Sequence, residues 1–451
     1  MNIHSTWLYV VDLARHVQFI TTTACLCYDR NSLSPPTNFI AVIFATCAEE
    51  KQESPNMADV ITKLNRDDKK AWFKIEWSDG YNARFPYVFL FDNCRCPDCF
   101  HPASYQRSVL MANIDPDIRP TGHEVVQNGE VIQVTWPNGH VSPYPAKWLK
   151  MHQFGKKPYD PLQSLGVKSW GKEKSSDIPT FKYKDVMEDN KALYGWLVKL
   201  LTDGITLIKE TPGEEGVVAK LHERVSWTRK TIYGDIFDVI TMYDACSLAY
   251  TAKQLGLHVD LPGFYNTPGV QMLHCIKQVD SEGGDNEFVD GLRVAEQLEQ
   301  EYPKILQTLT RMKVDFRTLG AEYVPYHTMT QRPVIEYDQD GVFQGINYND
   351  GVRAPYWSLP VEEITEGYRA LKTFHRAMYD ERNCIYYKME KGDMVIFDNR
   401  RVLHGRLGFQ IRVQEGEESK KRHLEGGYLD WDGIKSKMRL LHEEIHGLER
   451  F

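Results

Sequence analysis

The tetrapeptide Leu257-His258-Val259-Asp260 constrains the fold of this chain more than any other feature. It sets His258 and Asp260 two residues apart, and another histidine, His404, stands far downstream in VIFDNRRVLHGRLGF. Residues i and i+2 of a strand point to the same face, so His258 and Asp260 can reach one metal from one strand. A fold that uses all three must bring two distant strands to one point. Two imidazoles and a carboxylate so placed make a facial triad, the donor set of a mononuclear iron oxygenase, with three coordination positions open. Arg422, in KKRHLEGGYLDWD, adds a planar and permanently charged fork suited to a carboxylate. An H-x-D pair alone is common, so the surrounding words must carry the reading.

The chain has 451 residues, 42% of them hydrophobic and 12% aromatic, enough for a large core and more than one domain. A net charge of −8 without a long basic run argues against nucleic acid as a partner. The segment FIAVIFATC is too short to span a bilayer, and no longer apolar run exists, so no membrane partner is expected. Residues 1–56 lack the basic start and early apolar run of a signal peptide and show no clean periodicity. They are expected to be an extension rather than a domain, and the protein is expected to be cytoplasmic, with a mitochondrial location as the alternative.

Nine cysteines are scattered, but Cys94, Cys96 and Cys99 crowd together in FDNCRCPDCF, and His140 follows at an Asn-Gly turn. This pattern reads as a metal site in a reducing compartment rather than as a disulfide framework. Three thiolates and one imidazole would close a tetrahedral zinc site with no open position, hence a structural one. His101 and His123 are spare candidates for the fourth ligand.

Residues 57–154 read as a small β-module. AWFKIEWSDG alternates, YVFLFDN continues the strand pattern, and Asn-Gly turns at Asn128 and Asn138 mark hairpins. A Gly/Pro/Lys/Ser-rich connector is expected at 155–178 and a second domain at 179–451. There a helix is expected in FKYKDVMEDNKALYGWLVKLLTDG, with Ser176 or Asp177 as its cap and Gly204 after it. Further helices are expected at 291–312 and 361–380, strands near 246–260 and 269–278, and a hairpin turning at Asp340-Gly341. Strands drawn from distant parts of the chain and wrapped by helices suit a jelly roll with a site in its mouth. The fold class expected is therefore mainly β with flanking helices: a double-stranded β-helix preceded by a small zinc-binding β-module.

The words LHVDLPGFYNTPGVQMLHCIKQ, GGDNEFVDG, GDMVIFDNRRVLHGR and RHLEGGYLDWD resemble the γ-butyrobetaine dioxygenase family of 2-oxoglutarate-dependent oxygenases, trimethyllysine dioxygenase included, over about residues 70–451. The resemblance implies that His258, Asp260 and His404 hold Fe(II) and that Arg422 binds the distal carboxylate of 2-oxoglutarate. The stretch between His404 and Arg422 is long for the family, which leaves Arg406 and Arg412 as rival anchors. Hydroxylation of γ-butyrobetaine to L-carnitine, with release of succinate and CO2, is the implied reaction; trimethyllysine hydroxylation is the alternative. Ascorbate as a reductant and a homodimeric state are implied as well.

A quaternary ammonium donates no hydrogen bond and is recognised by aromatic faces. Tyr233, Phe237, Tyr250 and Tyr428 fall at the family's cage positions, with Phe237 where γ-butyrobetaine dioxygenase carries a tryptophan. For the substrate carboxylate, Asn349 matches one side-chain amide, and Ser247 puts a hydroxyl where the other would be. Asp398 and Asn399 are expected to support the turn before His404, and His274 and Cys275 to be buried strand residues rather than ligands. The reading from another class is a zinc-stapled binding module without catalysis, against which the retained ligand set speaks.

Overall fold

The computed structural model describes residues 60–155, 160–240, 252–278, 282–321, 323–409 and 422–447. Residues 1–56, Ser247, Tyr250 and Arg412 lie outside the described residues. The chain divides into two compact units, one ending at Lys156 and the other beginning at Lys157.

In the first unit, β1 (Ile61–Asp67), β2 (Trp72–Trp77) and β3 (Asn82–Pro86) form an antiparallel meander. The short strands β4 (Phe100–His101) and β5 (Gln106–Arg107) pair after the cysteine loop. Strands β6 (Gly122–Val126), β7 (Val131–Thr135) and β8 (Val141–Pro145) form a second meander, joined by the two expected Asn-Gly turns. The alternation of β2 buries Phe73, Ile75 and Trp77, which pack with Phe85, Trp136 and Tyr144. YVFLFDN is not a strand: Tyr87–Asp92 is a helix, α1. Pro86 precedes it, where its fixed φ starts a helix well, and Tyr87 and Leu90 bury one face at i, i+3 spacing. A second short helix, α2 (Ala146–Met151), follows β8.

The second unit is a jelly roll of two facing sheets. The larger orders β11 (Ile236–Ile240), β23 (His423–Leu429), β13 (Val270–Lys277), β21 (Met394–Asp398), β10 (Ile205–Lys209) and β9 (Thr180–Lys182); only the β10–β9 pair is parallel. The smaller orders β12 (Leu255–His258), β22 (Val402–Arg406), β14 (Asn286–Asp290) and β20 (Cys384–Tyr387), all antiparallel. Leu207, Leu273, Phe288, Phe397, Val402 and Leu424 fill the space between them. Helices α3 (Tyr183–Glu188), α4 (Asn190–Asp203), α5 (Val217–Val225) and, at the end of the unit, α9 (Trp431–His446) share a core with the larger sheet. Helices α6 (Gly291–Glu301), α7 (Pro303–Arg311) and α8 (Ile364–Met378) share one with the smaller sheet. The hairpin of β15 (Lys313–Ala321) and β16 (Pro325–Pro333) carries β19 (Arg353–Trp357) on its inner edge, and β17 (Ile335–Tyr337) pairs with β18 (Phe343–Ile346) about the expected Asp340-Gly341 turn.

Three sequence expectations change here. The helix expected over 291–312 breaks at Tyr302, because Pro303 can begin a helix but cannot continue one. The helix expected in FKYKDVMEDNKALYGWLVKLLTDG is two, α3 and α4, broken at Asp189. Neither Ser176 nor Asp177 caps them; Asp189 caps α4 by accepting from the Lys191 N–H, while Gly204 ends it with φ 74°. From residue 160 the connector is built into the second unit, with Leu162 and Trp170 buried and the Trp170 indole donating to the Asp203 carbonyl at 2.6 Å.

Candidate active site

His258 ends β12 and lies directly opposite His404 on β22, so the antiparallel register puts both imidazoles on one face with ring centroids 4.3 Å apart. Asp260 lies beyond the strand, which corrects the expectation that one strand presents both ligands. Its backbone is held instead by Asn399, whose Oδ1 accepts from the Asp260 N–H at 2.8 Å and whose Nδ2 donates to the Asp260 and Pro268 carbonyls at 3.0 and 3.1 Å. Leu261 then takes φ 53°, a left-handed conformation that a leucine adopts only when its surroundings impose it.

This arrangement turns the carboxylate back to the histidines. Asp260 Oδ1 lies 3.2 Å from His258 Nε2 and 3.8 Å from His404 Nε2. His258 Nδ1 sits 2.9 Å from the Gly256 carbonyl and can donate to it, so Nε2 is the atom turned to the carboxylate: it donates there while the ring is charged and would ligate a metal that displaces that proton. The phenol of Tyr428 donates to Asp260 Oδ2 at 2.6 Å. Burial and the charge of His258 push His404 down to about 3. Burial opposes ionisation of Asp260, yet hydrogen bonding from His258 and the charges of both histidines hold it far below the ordinary carboxylate range. An anionic carboxylate and a neutral imidazole are the protonation states a divalent metal needs. The three ligand atoms lie within 4.8 Å of one another, and the donor set fits ferrous iron.

Beside the triad a cavity of about 100 Å³ is lined by Gln271, Asn286, Arg406 and Arg422, among others. Arg422 is 3% exposed; its Nη2 donates to Asn286 Oδ1 at 3.3 Å, and its Nε has no hydrogen-bond partner among the described residues. Burial, with the charge of Arg406 added, lowers its pKa to about 10. A buried guanidinium facing no carboxylate among the described residues fits an anion arriving from outside. Arg406 lies two residues after His404 on the same strand and lines the same cavity, with one Nη donating to the Lys253 carbonyl at 2.6 Å. Asn286, in GGDNEFVDG, lies opposite Arg406 across β14 and β22 and so lines the same cavity; the strand pairing that puts it there is not visible in the sequence.

Tyr233, Phe237 and Tyr428 form a continuous aromatic wall next to the triad. Phe237 stands 5.5 Å from Tyr233 and 5.3 Å from Tyr428, the latter pair stacked. Phe237 pairs with Gly426 across β11 and β23, and a Cβ on that glycine would come within 2.5 Å of the ring. Only glycine lets the ring lie flat there. All three rings of the wall line the cavity beside Arg422, and Tyr233 also lines a larger one of about 660 Å³, with His258, Asp260 and Asn349 among others. Asn349 Oδ1 already accepts from the Gly351 N–H, and its Nδ2 donates to the Val259 carbonyl at 3.4 Å. His274 and Cys275 are fully buried on β13 and join no group of metal-ligand geometry among the described residues.

In the first unit, His140 Nε2 lies 3.2, 3.6 and 3.5 Å from the sulfurs of Cys94, Cys96 and Cys99. Burial and the neighbouring sulfurs push the Cys99 thiol up to about 12, and burial raises Cys94 too, an environment that a bound cation would reverse. Neither spare histidine joins the group: His101 contacts Ser104 Oγ at 2.8 Å, and His123 packs on Phe73.

Residues 158–428 match the taurine catabolism dioxygenase TauD, TfdA family, and residues 64–150 match the γ-butyrobetaine hydroxylase-like N-terminal family. A γ-butyrobetaine dioxygenase of Homo sapiens is 35% identical over 86% of this chain and 99% of its own length. One from Pseudomonas sp. (strain AK-1) is 32% identical over 81% and 93%. The mitochondrial trimethyllysine dioxygenase of Homo sapiens is 29% identical over 82% and 85%. Among solved structures, a taurine dioxygenase from Burkholderia xenovorans covers 59% of this chain and 94% of its own at 15% identity and a TM-score of 0.41. The chain belongs to the TauD, TfdA dioxygenase family, and within it to the family of the γ-butyrobetaine dioxygenases.

Proposed function

We propose that this dioxygenase hydroxylates γ-butyrobetaine to L-carnitine while 2-oxoglutarate is decarboxylated to succinate and CO2, with ascorbate keeping the iron ferrous. His258, Asp260 and His404 would hold Fe(II), which together with 2-oxoglutarate and dioxygen supplies the oxidising power for an unactivated C–H bond. Tyr428 and Asn399 fix the carboxylate ligand from its side chain and its backbone. Arg422, with Asn286, binds the distal carboxylate of the cosubstrate in the cavity beside the triad. Cys94, Cys96, Cys99 and His140 hold a structural zinc.

The observation that carries this reading is the aromatic wall of Tyr233, Phe237 and Tyr428 beside the triad. It offers π faces to a trimethylammonium group that nothing can hydrogen-bond. Phe237 in place of a tryptophan weakens that attraction by roughly 0.5–1 kcal/mol, and Ser247, a hydroxyl where the family has an amide for the substrate carboxylate, keeps trimethyllysine as a second reading.

The test is succinate release after anaerobic Fe(II) reconstitution, with γ-butyrobetaine, with trimethyllysine and with no substrate. Strong stimulation by γ-butyrobetaine is expected. Stimulation by trimethyllysine alone would transfer the assignment to that substrate, and succinate with neither would favour a non-catalytic binding module.

A further inference from the structure

The larger cavity, which Tyr233 of the aromatic wall lines together with His258 and Asp260, also has a cationic feature. Arg317, on β15, lines it together with Thr318, Tyr326 and Asn349. Its Nε donates to His327 Nε2 at 3.1 Å across the β15–β16 hairpin, which fixes the plane of the guanidinium and leaves both Nη groups. No carboxylate among the described residues lies within 4.0 Å of it. The other guanidiniums of this region each face one: Arg353 meets Asp350, Arg311 meets Glu363, and Arg332 meets Glu336. Asp350 lines the same cavity, but its two oxygens are taken by the Tyr348 hydroxyl at 2.6 Å and by Arg353 Nε at 3.0 Å. Asn349 spends its carbonyl oxygen and one N–H on the backbone, so a single N–H remains for a ligand. One amide hydrogen is a weak partner for a carboxylate leaving water; a guanidinium fork matches both of its oxygens.

We propose that Arg317 binds the carboxylate of the substrate, so that this cavity selects zwitterionic quaternary ammonium acids over analogues whose acid end is uncharged. The inference rests on the betaine hydroxylase reading above. It adds a specificity-determining residue on β15, outside the jelly-roll strands that carry the triad. The aromatic wall recognises the cationic end and Arg317 the anionic end. A substrate with only one of the two charges loses half of its recognition.

The experiment compares γ-butyrobetaine with its carboxamide in the wild type, in Arg317→Gln and in Arg317→Lys, reading KM and kcat from substrate-stimulated succinate release. The wild type is expected to prefer the acid by roughly 10- to 100-fold in kcat/KM, the range of a charge-assisted hydrogen-bonded pair. Arg317→Gln should remove most of that preference, raising KM for the acid far more than it lowers kcat, with little change for the carboxamide. Arg317→Lys should restore part of it, since the charge returns without the fork, and it carries the test if the glutamine variant does not fold. Should trimethyllysine prove to be the substrate, the same comparison runs on trimethyllysine and its amide. An acid preference that survives both substitutions overturns the assignment of Arg317 and leaves the hydroxylase reading intact. Stimulation by no quaternary ammonium compound in the wild type overturns both.

Discussion

Tyr428 shows how much one hydroxyl can decide. Its ring stacks on Phe237 at the wall where the family resemblance puts it, while its phenol donates to the Asp260 carboxylate. The word EGGYLDWD exposes the ring but not the direction of the hydroxyl, because that depends on a turn more than a hundred residues away. Replacing Tyr428 with phenylalanine keeps the aromatic face and removes the hydrogen bond. Such second partners of metal ligands commonly contribute about 10-fold or more in metal affinity. Anaerobic Fe(II) titration of Tyr428→Phe should show a drop of that order; an unchanged affinity would refute the role. His222 makes a different prediction. It is fully buried on α5, with Nδ1 3.1 Å from Thr228 Oγ1 and no hydrogen-bond partner on Nε2 among the described residues, and burial lowers its pKa to about 4. An unfolded chain takes up that proton near pH ~6.5, so between the two values the unfolded state binds more protons and stability falls as pH falls. The loss should reach about 2 kcal/mol by pH ~5. Denaturation of wild type and His222→Asn at pH 7 and pH 5 would show the variant losing less; equal losses would remove His222 as the cause.

At the scale of elements, the readable features were those that local chemistry settles. Asn-Gly turns gave hairpins because glycine admits the positive φ they need, as Gly139 does at 83°. What escaped were places where distant contacts outweigh local pattern. YVFLFDN has strand-like composition yet folds as α1, since Tyr87 and Leu90 find a common core below it. The junction of β14 and α6 is another such place. Asp290 caps α6 by accepting from the Leu292 N–H at 3.0 Å, and also accepts from the Trp170 N–H at 3.1 Å. Its carboxylate meets Arg401 through Nε at 2.9 Å and Nη2 at 2.7 Å, and the same guanidinium reaches the Thr202 and Lys168 carbonyls. This buried pair therefore joins four segments, three of them within the jelly roll and its helices. Breaking one partner of a buried pair leaves an uncompensated charge and costs roughly 3–5 kcal/mol. Asp290→Asn should lower the melting temperature of the second unit's transition by many degrees. Asp290→Leu combined with Arg401→Met should recover part of the loss; a variant as stable as wild type would show that the pair is dispensable.

At the scale of the whole molecule, the cysteine cluster and the group of His258, Asp260 and His404, each of which could hold a metal ion, belong to separate units, and each unit builds its core from its own residues. Phe73, Trp77, Trp136 and Tyr144 serve the first, while Phe288, Phe397 and Leu424 serve the second. The cysteine cluster was legible because its spacing is local, with His140 delivered by one hairpin turn. The grouping of His258, Asp260 and His404 was legible as residues but not as geometry, since only the β12–β22 register brings His258 and His404 together. The separation of the cores makes a prediction about metal loss. In the first unit, the loop from Cys94 to Cys99 contains no regular element of its own, so its conformation depends on what the sulfurs and His140 hold. Cys99→Ala should abolish stoichiometric zinc and lower the melting transition of the first unit. Fe(II) affinity should stay within about twofold, because the triad is ordered by strand pairing, Asn399 and Tyr428 in the other unit. Zinc retained at full stoichiometry in Cys99→Ala would refute the four-ligand site. A parallel fall in Fe(II) affinity would show that the two units are energetically coupled.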